Sequence, residues 1–472
     1  MAIIGRAEEI HRLESYYDSG RPELVIVYGR RRVGKTFLVK EYFKGEFAFY
    51  FTGSIGASGK VNLANFDKAV ESYGGEAETP SANWSDAFHK LKSLLGKATG
   101  ERKVVFIDEM PWLDTKKSDF LQAFDYFWNS YASSNPDLLF IGCGSATSWI
   151  TKKIFQNRGG LHNRVTGRIY LAPFTIGESE AFLKSRGVEY ARYQLAECYM
   201  IFGGIPYYLN LFDKGLSLSQ NVDKLCFHQN APLKGEFGEL YMSLFNSPHR
   251  HIAIVEALST KYSGLTRNDI LKIGGFQSNG HFTEALKELE QSDFIYKSYD
   301  LSRNKSGAYY FLIDPFSSFY LRYMKNNISE DEYYWTNNLD SGSHNAWRGF
   351  AFEQLCRSHL RQIKKALGIA GVSTTTSSWR SKASKPGAQV DLVIRRKDGV
   401  TNLCELKYTK HPYEITESYS KVLENKKMVF YEETGIKGGV HLTMITTFGL
   451  AKKGYFGTVQ SEVKLDDLFS AD

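Results

Sequence analysis

The stretch Glu23–Phe43 reads ELVIVYGRRRVGKTFLVKEYF. Its first half, LVIVY, is an unbroken apolar run, the pattern of a strand buried on both faces. Its second half has helical spacing. Between them lies Gly29-Arg30-Arg31-Arg32-Val33-Gly34-Lys35-Thr36, a GxxxxGK[ST] loop in the strand–loop–helix setting this motif requires. The glycines let successive backbone N–H groups turn inward around phosphate oxygens. The helix N-terminus, Lys35 through Phe37, adds partial positive charge. Lys35 is expected to reach the β- and γ-phosphates of ATP, and the Thr36 hydroxyl to ligate Mg²⁺.

Hydrolysis of a bound nucleotide needs an acidic strand end. Lys103–Leu113 reads KVVFIDEMPWL, so an apolar strand delivers Asp108 and Glu109 to the edge where open α/β sheets bind ligands. Asp108 is expected to hold Mg²⁺ through water, and Glu109 to orient and deprotonate the attacking water. A further strand, Leu138–Ile141, runs out through Gly142-Cys143-Gly144-Ser145, where Ser145 is the expected sensor of the γ-phosphate and an ordinary Gly-rich strand exit is the alternative. Runs near Phe47–Phe51 and Arg168–Leu171 fill out an α/β fold with a five-stranded parallel sheet.

With Ile4-Gly5-Arg6 ahead of the core and Gly203-Gly204-Ile205-Pro206 behind it, residues 1 to about 240 resemble AAA+-type P-loop ATPases, near the archaeal and signal-transducing branches. The resemblance implies a helical lid, a homo-oligomer as an option, and Ile4, Arg6 and Pro206 on the adenine side. One departure is plain: GGIPYYL carries no arginine, so the family's lid arginine is in doubt. Arg158, Arg164 and Arg168 follow the sensor strand. Arg164 is the first choice for a finger reaching a neighbouring subunit's γ-phosphate, with surface basic residues as the alternative.

The chain has 472 residues, 42% of them hydrophobic and 24% charged, ordinary for globular protein and too long for one core. The expected domains are 1–178 (ATPase core), 179–245 (lid), 246–335 (winged helix) and 340–472 (nuclease-like). No run approaches the roughly 18 apolar residues of a membrane helix, and the N-terminus turns charged early, so no membrane partner is expected. Five scattered cysteines without a CxxC pair argue against a zinc site and for a reducing, cytoplasmic setting.

In the middle, His251–Leu258, Thr266–Ile273 and Asn279–Ser292 have helical spacing, and Phe294–Tyr299 and Ala308–Ile313 read as a hairpin. That is the pattern of a winged helix-turn-helix. The third helix carries Glu284, Glu288 and Glu290 against Lys287, a face that repels phosphates. Arg303 and Lys305 in the wing are the suitable contacts. An interaction or linker role therefore stands beside DNA reading.

The net charge is +7, and residues 341–472 alone hold 20 basic against 13 acidic residues, so the whole excess sits there. Trp347–Lys365 reads as one amphipathic helix with Phe350, Leu355 and Leu360 near one face and Glu353 among them. A Ser/Thr/Lys-rich loop (373–385) follows, then Val390–Ile394, an Asp398-Gly399 turn, and Leu403–Lys407. Residues two apart share a strand face, so Glu405 and Lys407 project together, with Asp391 opening the neighbouring strand. Carboxylates so placed repel one another unless a cation neutralises them. Hard oxygen ligands suit Mg²⁺ or Mn²⁺, which generates hydroxide and polarises a phosphodiester. An ordinary hairpin with a charged rim is the alternative. Val440–Thr446 reads as a further strand and Asp466-Asp467 as an exposed acidic end.

The order E…GxxxD…ExK, here Glu353, Asp391, Glu405 and Lys407, resembles the PD-(D/E)xK nuclease superfamily over residues 340 to 470, with Val390 where the Pro stands. The resemblance implies a metal held by Asp391, Glu405 and the Leu406 carbonyl, with Glu353 beside it, Lys407 as the catalytic ammonium and Gln389 in support. Together the segments resemble prokaryotic ATPases fused to nuclease-like domains, and nucleic acid, DNA first, is the expected partner. The rival expectation is a regulatory ATPase whose C-terminal domain binds DNA or protein without cutting.

Overall fold

The computed structural model describes residues 3–76, 78–156, 161, 163–299, 308–327, 331–381 and 387–471. It divides into two units, Met1–Pro173 with Met242–Asn246, and Phe174–Tyr241 with Ser247–Asp472.

In the first unit the strands are β1 (Glu23–Tyr28), β2 (Phe49–Thr52), β3 (Lys103–Asp108), β4 (Leu138–Gly144) and β5 (Gly167–Tyr170). They form one parallel sheet in the order β2-β3-β4-β1-β5. Central β1 and β4 are almost wholly buried, which is why their sequences are apolar without alternation. Helices α1 (Ala7–Tyr17), α2 (Lys35–Tyr42), α3 (Gly59–Ser72), α4 (Trp84–Lys97) and α5 (Phe120–Ser130) cover the sheet. Phe66, Trp84, Phe88, Phe120 and Phe124 build an edge-packed aromatic core beneath α3 to α5. Because all strands run one way, β1, β3 and β4 open at one edge, onto Gly29, Glu109 and Ser145.

The second unit begins around α6 (Arg192–Phe202), a helix buried along most of its length. Then come α7 (Pro248–Ser259), α8 (Arg267–Ile273) and α9 (Gly280–Gln291), with an antiparallel sheet of β6 (Leu265–Thr266), β7 (Ile295–Tyr299) and β8 (Ala308–Leu312) in the order β6-β8-β7. The Arg303 and Lys305 contacts lie outside the described residues. On α9, Glu288 faces inward and meets buried His251 at 2.8 Å.

The remainder packs α10 (Gly342–Ser358), α11 (Leu360–Ala366) and α12 (Glu417–Thr434) on a five-stranded sheet. Its order is β13-β12-β11-β10-β9, from β9 (Thr374–Arg380), β10 (Gln389–Arg396), β11 (Val400–Lys407), β12 (Gly439–Thr446) and β13 (Ser461–Lys464). β9, β10 and β11 pair antiparallel, whereas β12 and β13 join in parallel after the α12 crossover.

Three expectations are corrected here. The helix expected over Trp347–Lys365 begins at Gly342 and breaks at His359, whose Nε2 accepts the Ile176 N–H at 2.9 Å. Phe350 is not on the buried face: it is at the surface, stacked on Tyr262, while Trp347, Phe352, Leu355 and Cys356 go inside. The first part of the expected 373–385 loop is strand β9, whose threonines and serines alternate against β10. Asp466 is exposed, as expected, and pairs there with Arg192 of α6 at 3.1 Å.

α6 and α10 are joined by a buried ion pair. Arg348 donates to Glu197 Oε1 through Nη2 (2.8 Å) and Nε (3.2 Å), and through Nη1 to the Leu339 carbonyl (2.6 Å). Removing one partner strands the other charge in the interior, at a cost of about 3–5 kcal/mol. Arg348→Met is therefore expected to lower the urea midpoint sharply, and Glu197→Leu added to it to restore much of the loss.

Nearby His344 is buried against Trp335, and burial first, then Arg348 and Arg322, pulls its pKa down to about 4. A depressed folded pKa means that stability is complete above the ordinary value of 6.5 and is lost as pH falls towards 4. His344→Phe is expected to flatten stability over that window, read from unfolding midpoints at a series of pH values.

Candidate active sites

The phosphate-binding loop of the first unit is held in a conformation few residues adopt. Gly29 (φ 144°), Arg32 (φ 72°) and Gly34 (φ 91°) all have positive φ. At Gly29 a Cβ would lie 2.3 Å from the Leu171 carbonyl oxygen, so only glycine fits between the loop and the exit of β5. Lys35 is buried, and its ammonium donates to the carbonyls of Gly29 (3.0 Å) and Arg30 (2.6 Å). Burial draws its pKa below the usual lysine value, opposed by Cys143, Glu109 and Asp108. Arg6 donates to the Val33 carbonyl at 3.3 Å and so buttresses the loop from outside. Arg30 and Val33 are buried, Arg31 and Arg32 partly exposed, and Phe37 exposed.

At the head of α2 the Thr36 hydroxyl donates to Asp108 Oδ2 at 2.7 Å. A hydroxyl and a carboxylate in contact at the mouth of a phosphate loop are the donor set that Mg²⁺ takes beside a triphosphate, so the residues fit that ion. Glu109 sits in a left-handed conformation (φ 49°, ψ 44°), turning its side chain out of the strand line. Its carboxylate accepts from the Ser145 hydroxyl (2.7 Å) and, less closely, from the Ser145 N–H (3.3 Å). The expected γ-phosphate sensor thus touches the expected base, a link that strand spacing alone could not reveal. Arg164 is exposed before β5, and Arg168 lies over the Phe155 ring at 4.3 Å. Ile4 is partly buried in the first unit, while Pro206 belongs to the second, at the start of a short helix.

The second unit gathers the other carboxylates. Leu392 pairs with Cys404 across β10 and β11, so one step on Asp391 and Glu405 come abreast. The β10–β9 register slips between Val390 and Val393, and this irregularity falls on Asp391. Arg357 of α10 donates to the Asp391 carbonyl. Glu353 of the same helix has its pKa pushed up to about 8, by burial first and then by Asp391. Burial and Asp391 also raise that of Glu405, against the pull of Lys426. Both Glu405 oxygens have partners on α12: Lys426 Nζ at 2.7 Å and the Tyr419 hydroxyl at 3.2 Å. Lys407 lies 5.3 Å from the Tyr419 ring centre.

The expected set of three metal ligands is corrected accordingly. Among the described residues no three carboxylates, histidines or cysteines are grouped as a metal would need them. Glu405 is turned to an ammonium and a phenol from α12, which the motif does not contain and sequence reading missed. The mutual repulsion of Glu353, Asp391 and Glu405 still fits a cation electrostatically.

Residues 3–212 match the model of an ATPase domain predominantly from Archaea. They form an archaeal-type ATPase domain. An uncharacterized protein of Methanocaldococcus jannaschii is 26% identical over 395 residues, 83% of this chain and 84% of its own length. An uncharacterized ATP-binding protein of the same organism is 42% identical over 44 residues, 9% of this chain and 75% of its own. In fold, a Walker-type ATPase of Pyrococcus abyssi aligns with a TM-score of 0.50 at 18% identity, over 68% of this chain and 96% of its own. The loop, acidic strand and sheet order described above are thus those of a P-loop ATPase. No helix among the described residues is long and apolar enough to cross a membrane.

Within this archaeal-type domain Ser145 fixes the Glu109 carboxylate. Ser145→Ala is expected to lower the ATP turnover number roughly tenfold, the loss of one hydrogen bond to a charged group, with KM little changed in steady-state assays.

Proposed function

We propose that the chain is an ATP-hydrolysing protein whose C-terminal domain acts on nucleic acid, DNA first, by metal-dependent phosphodiester cleavage. For the ATPase half, one observation carries the reading: the Thr36–Asp108 contact beside buried Lys35, with Glu109 held one residue further on. The backbone N–H groups from Gly29 to Phe37 cradle the phosphates, and Lys35 exchanges its carbonyl partners for phosphate oxygens. Thr36 and Asp108 would hold Mg²⁺, whose chemistry there is to neutralise negative charge developing on the phosphates. Glu109 takes the proton of the attacking water while Ser145 fixes its direction. Ile4, Arg6 and Pro206 remain proposed adenine contacts, and Arg164 a proposed finger towards a second copy.

For the C-terminal half, the reading is supported by the convergence of Glu353, Asp391 and Glu405, where burial first and then Asp391 push the pKa of Glu353 up to about 8. Asp391 and Glu405 would hold a divalent cation, Mg²⁺ or Mn²⁺, whose chemistry is to activate water and polarise the phosphodiester. Lys407 steadies the negative charge that develops at the scissile phosphate. The three helices and hairpin of residues 246–335 serve as a winged helix. A second reading, binding without cutting, is favoured by the Lys426–Glu405 contact, because that ammonium already neutralises one ligand.

Lys35→Ala is expected to abolish ATP hydrolysis, and Glu109→Gln to reduce it by roughly 10²–10⁴-fold while ATP still binds. Plasmid and linear DNA incubated with Mg²⁺ or Mn²⁺ should be cut by the wild type and left intact by Asp391→Ala/Glu405→Ala. Intact DNA in every lane, beside normal ATP turnover, would move the assignment to the binding-only reading.

A further inference from the structure

The carboxylates of the second unit are roofed by another part of the same unit. On α10, Phe350, Glu353 and Arg357 lie three and four residues apart and so share one helix face. The α7–β8 segment lies over that face. Tyr262 stacks on Phe350 with ring centres 4.3 Å apart, and the Arg357 guanidinium is 5.9 Å from the Phe311 ring centre. Glu353 falls between these two contacts. β7 of the same segment lies close beside β9, the edge strand of the C-terminal sheet.

Little space is left between this roof and the site. Glu353 and Asp391 on one side, with Tyr262, Tyr309 and Phe311 on the other, line a cleft of about 60 Å³. Sites that take small molecules run to about 300–1,000 Å³. The cleft therefore admits water or a bare ion, and a phosphodiester cannot reach Asp391 through it. The two contacts that flank Glu353 are slight. One is a stack on a ring that is itself 37% exposed, and the other is a cation near the limit of its useful range over a ring. By contrast, α10 is fixed from another side by the buried Arg348–Glu197 pair with α6. The roof can thus lift while α10 and its carboxylate stay in place.

We propose that the α7–β8 segment is an autoinhibitory cover: closed, it keeps a polymeric phosphodiester off Glu353 and Asp391, and the site works only once the segment lifts from α10. The assignment rests on the nucleic-acid reading of the C-terminal domain and adds its regulation. It gives residues 246–335 a task that the carboxylates of α9 favour, because acidic side chains repel phosphates. It also gives Phe350, an aromatic residue that the core leaves at the surface, a task as the latch on which Tyr262 closes.

The test uses the full chain and the rate at which a bulky thiol reagent, fluorescein maleimide, reaches the site. All five native cysteines are buried, so an introduced thiol is the reactive one. Asp391→Cys should react slowly beside Lys397→Cys, an exposed position just after β10. Adding Phe350→Asp, or separately Tyr262→Ala, should speed the Asp391→Cys reaction roughly threefold or more, the worth of one aromatic pair, and leave Lys397→Cys unchanged. Phe350→Tyr should keep the slow rate. Phe350→Asp alone should take up no label, which separates lifting of the cover from unfolding; where it does, Tyr262→Ala carries the test. Fast labelling of Asp391→Cys beside an intact Phe350, or a rate indifferent to both substitutions, would overturn the cover. DNA cutting is scored apart, with Asp391 in place. There Phe350→Asp should raise the rate by a similar factor, and faster labelling beside an unchanged cutting rate would overturn the autoinhibitory role. Faster labelling with no cutting by any variant would remove the nuclease reading and leave the cover as assigned.

Discussion

A lysine ammonium buried beneath a loop of backbone is what the ATPase unit is built around. Lys35 is 5% exposed, and a charge so placed must be surrounded by oxygen. Two carbonyls of its own loop provide that oxygen, at Gly29 and Arg30. For them to point inward, the chain must curl through positive φ at Gly29, Arg32 and Gly34. That curl in turn aims N–H groups at the space phosphates occupy. The close approach of Gly29 to Leu171 then fixes how near β5 can lie to β1. Loop conformation, strand order and ligand chemistry therefore share one cause, the cost of a buried cation.

That cause explains why this half was legible in the sequence. A buried strand, a phosphate loop and an acidic strand end are local patterns with strict residue requirements, and the five parallel strands fell where their apolar runs placed them. What stayed hidden was the side-chain partnership of Ser145 with Glu109, which depends on β3 and β4 being neighbours. No spacing along the chain encodes a hydrogen bond between two strand ends. The buttressing of Val33 by Arg6, from a residue far back in the chain, was hidden for the same reason.

In the C-terminal segment the strands around Val390–Ile394 and Leu403–Lys407 were legible and the frame around them less so. Thr374–Arg380 reads as a polar loop because its alternation is of serine and threonine with few apolar residues, yet those β-branched positions pair well along β10. The break at His359 was invisible because the ring's Nε2 partner, the main-chain N–H of Ile176, is distant in sequence. Phe350 was misplaced because aromatic residues on helices are normally core, whereas here the ring covers Tyr262 at the surface.

The two carboxylate clusters solve the same electrostatic problem differently. At the ATPase site Asp108 takes a neutral hydroxyl from Thr36 and Glu109 one from Ser145, with the Lys35 ammonium as the nearby cation, so both remain available to a metal ion or a water proton. In the C-terminal domain three acids crowd together, and the chain answers with an ammonium, Lys426, on Glu405 and a proton held by Glu353. On the proposed reading, a divalent ion on Asp391 and Glu405 would have to displace Lys426, and its affinity would carry that cost. Such a site would be more demanding of metal concentration than Asp391 and Glu405 alone imply. Lys426 is the residue through which that demand would be set, because its ammonium already occupies Glu405.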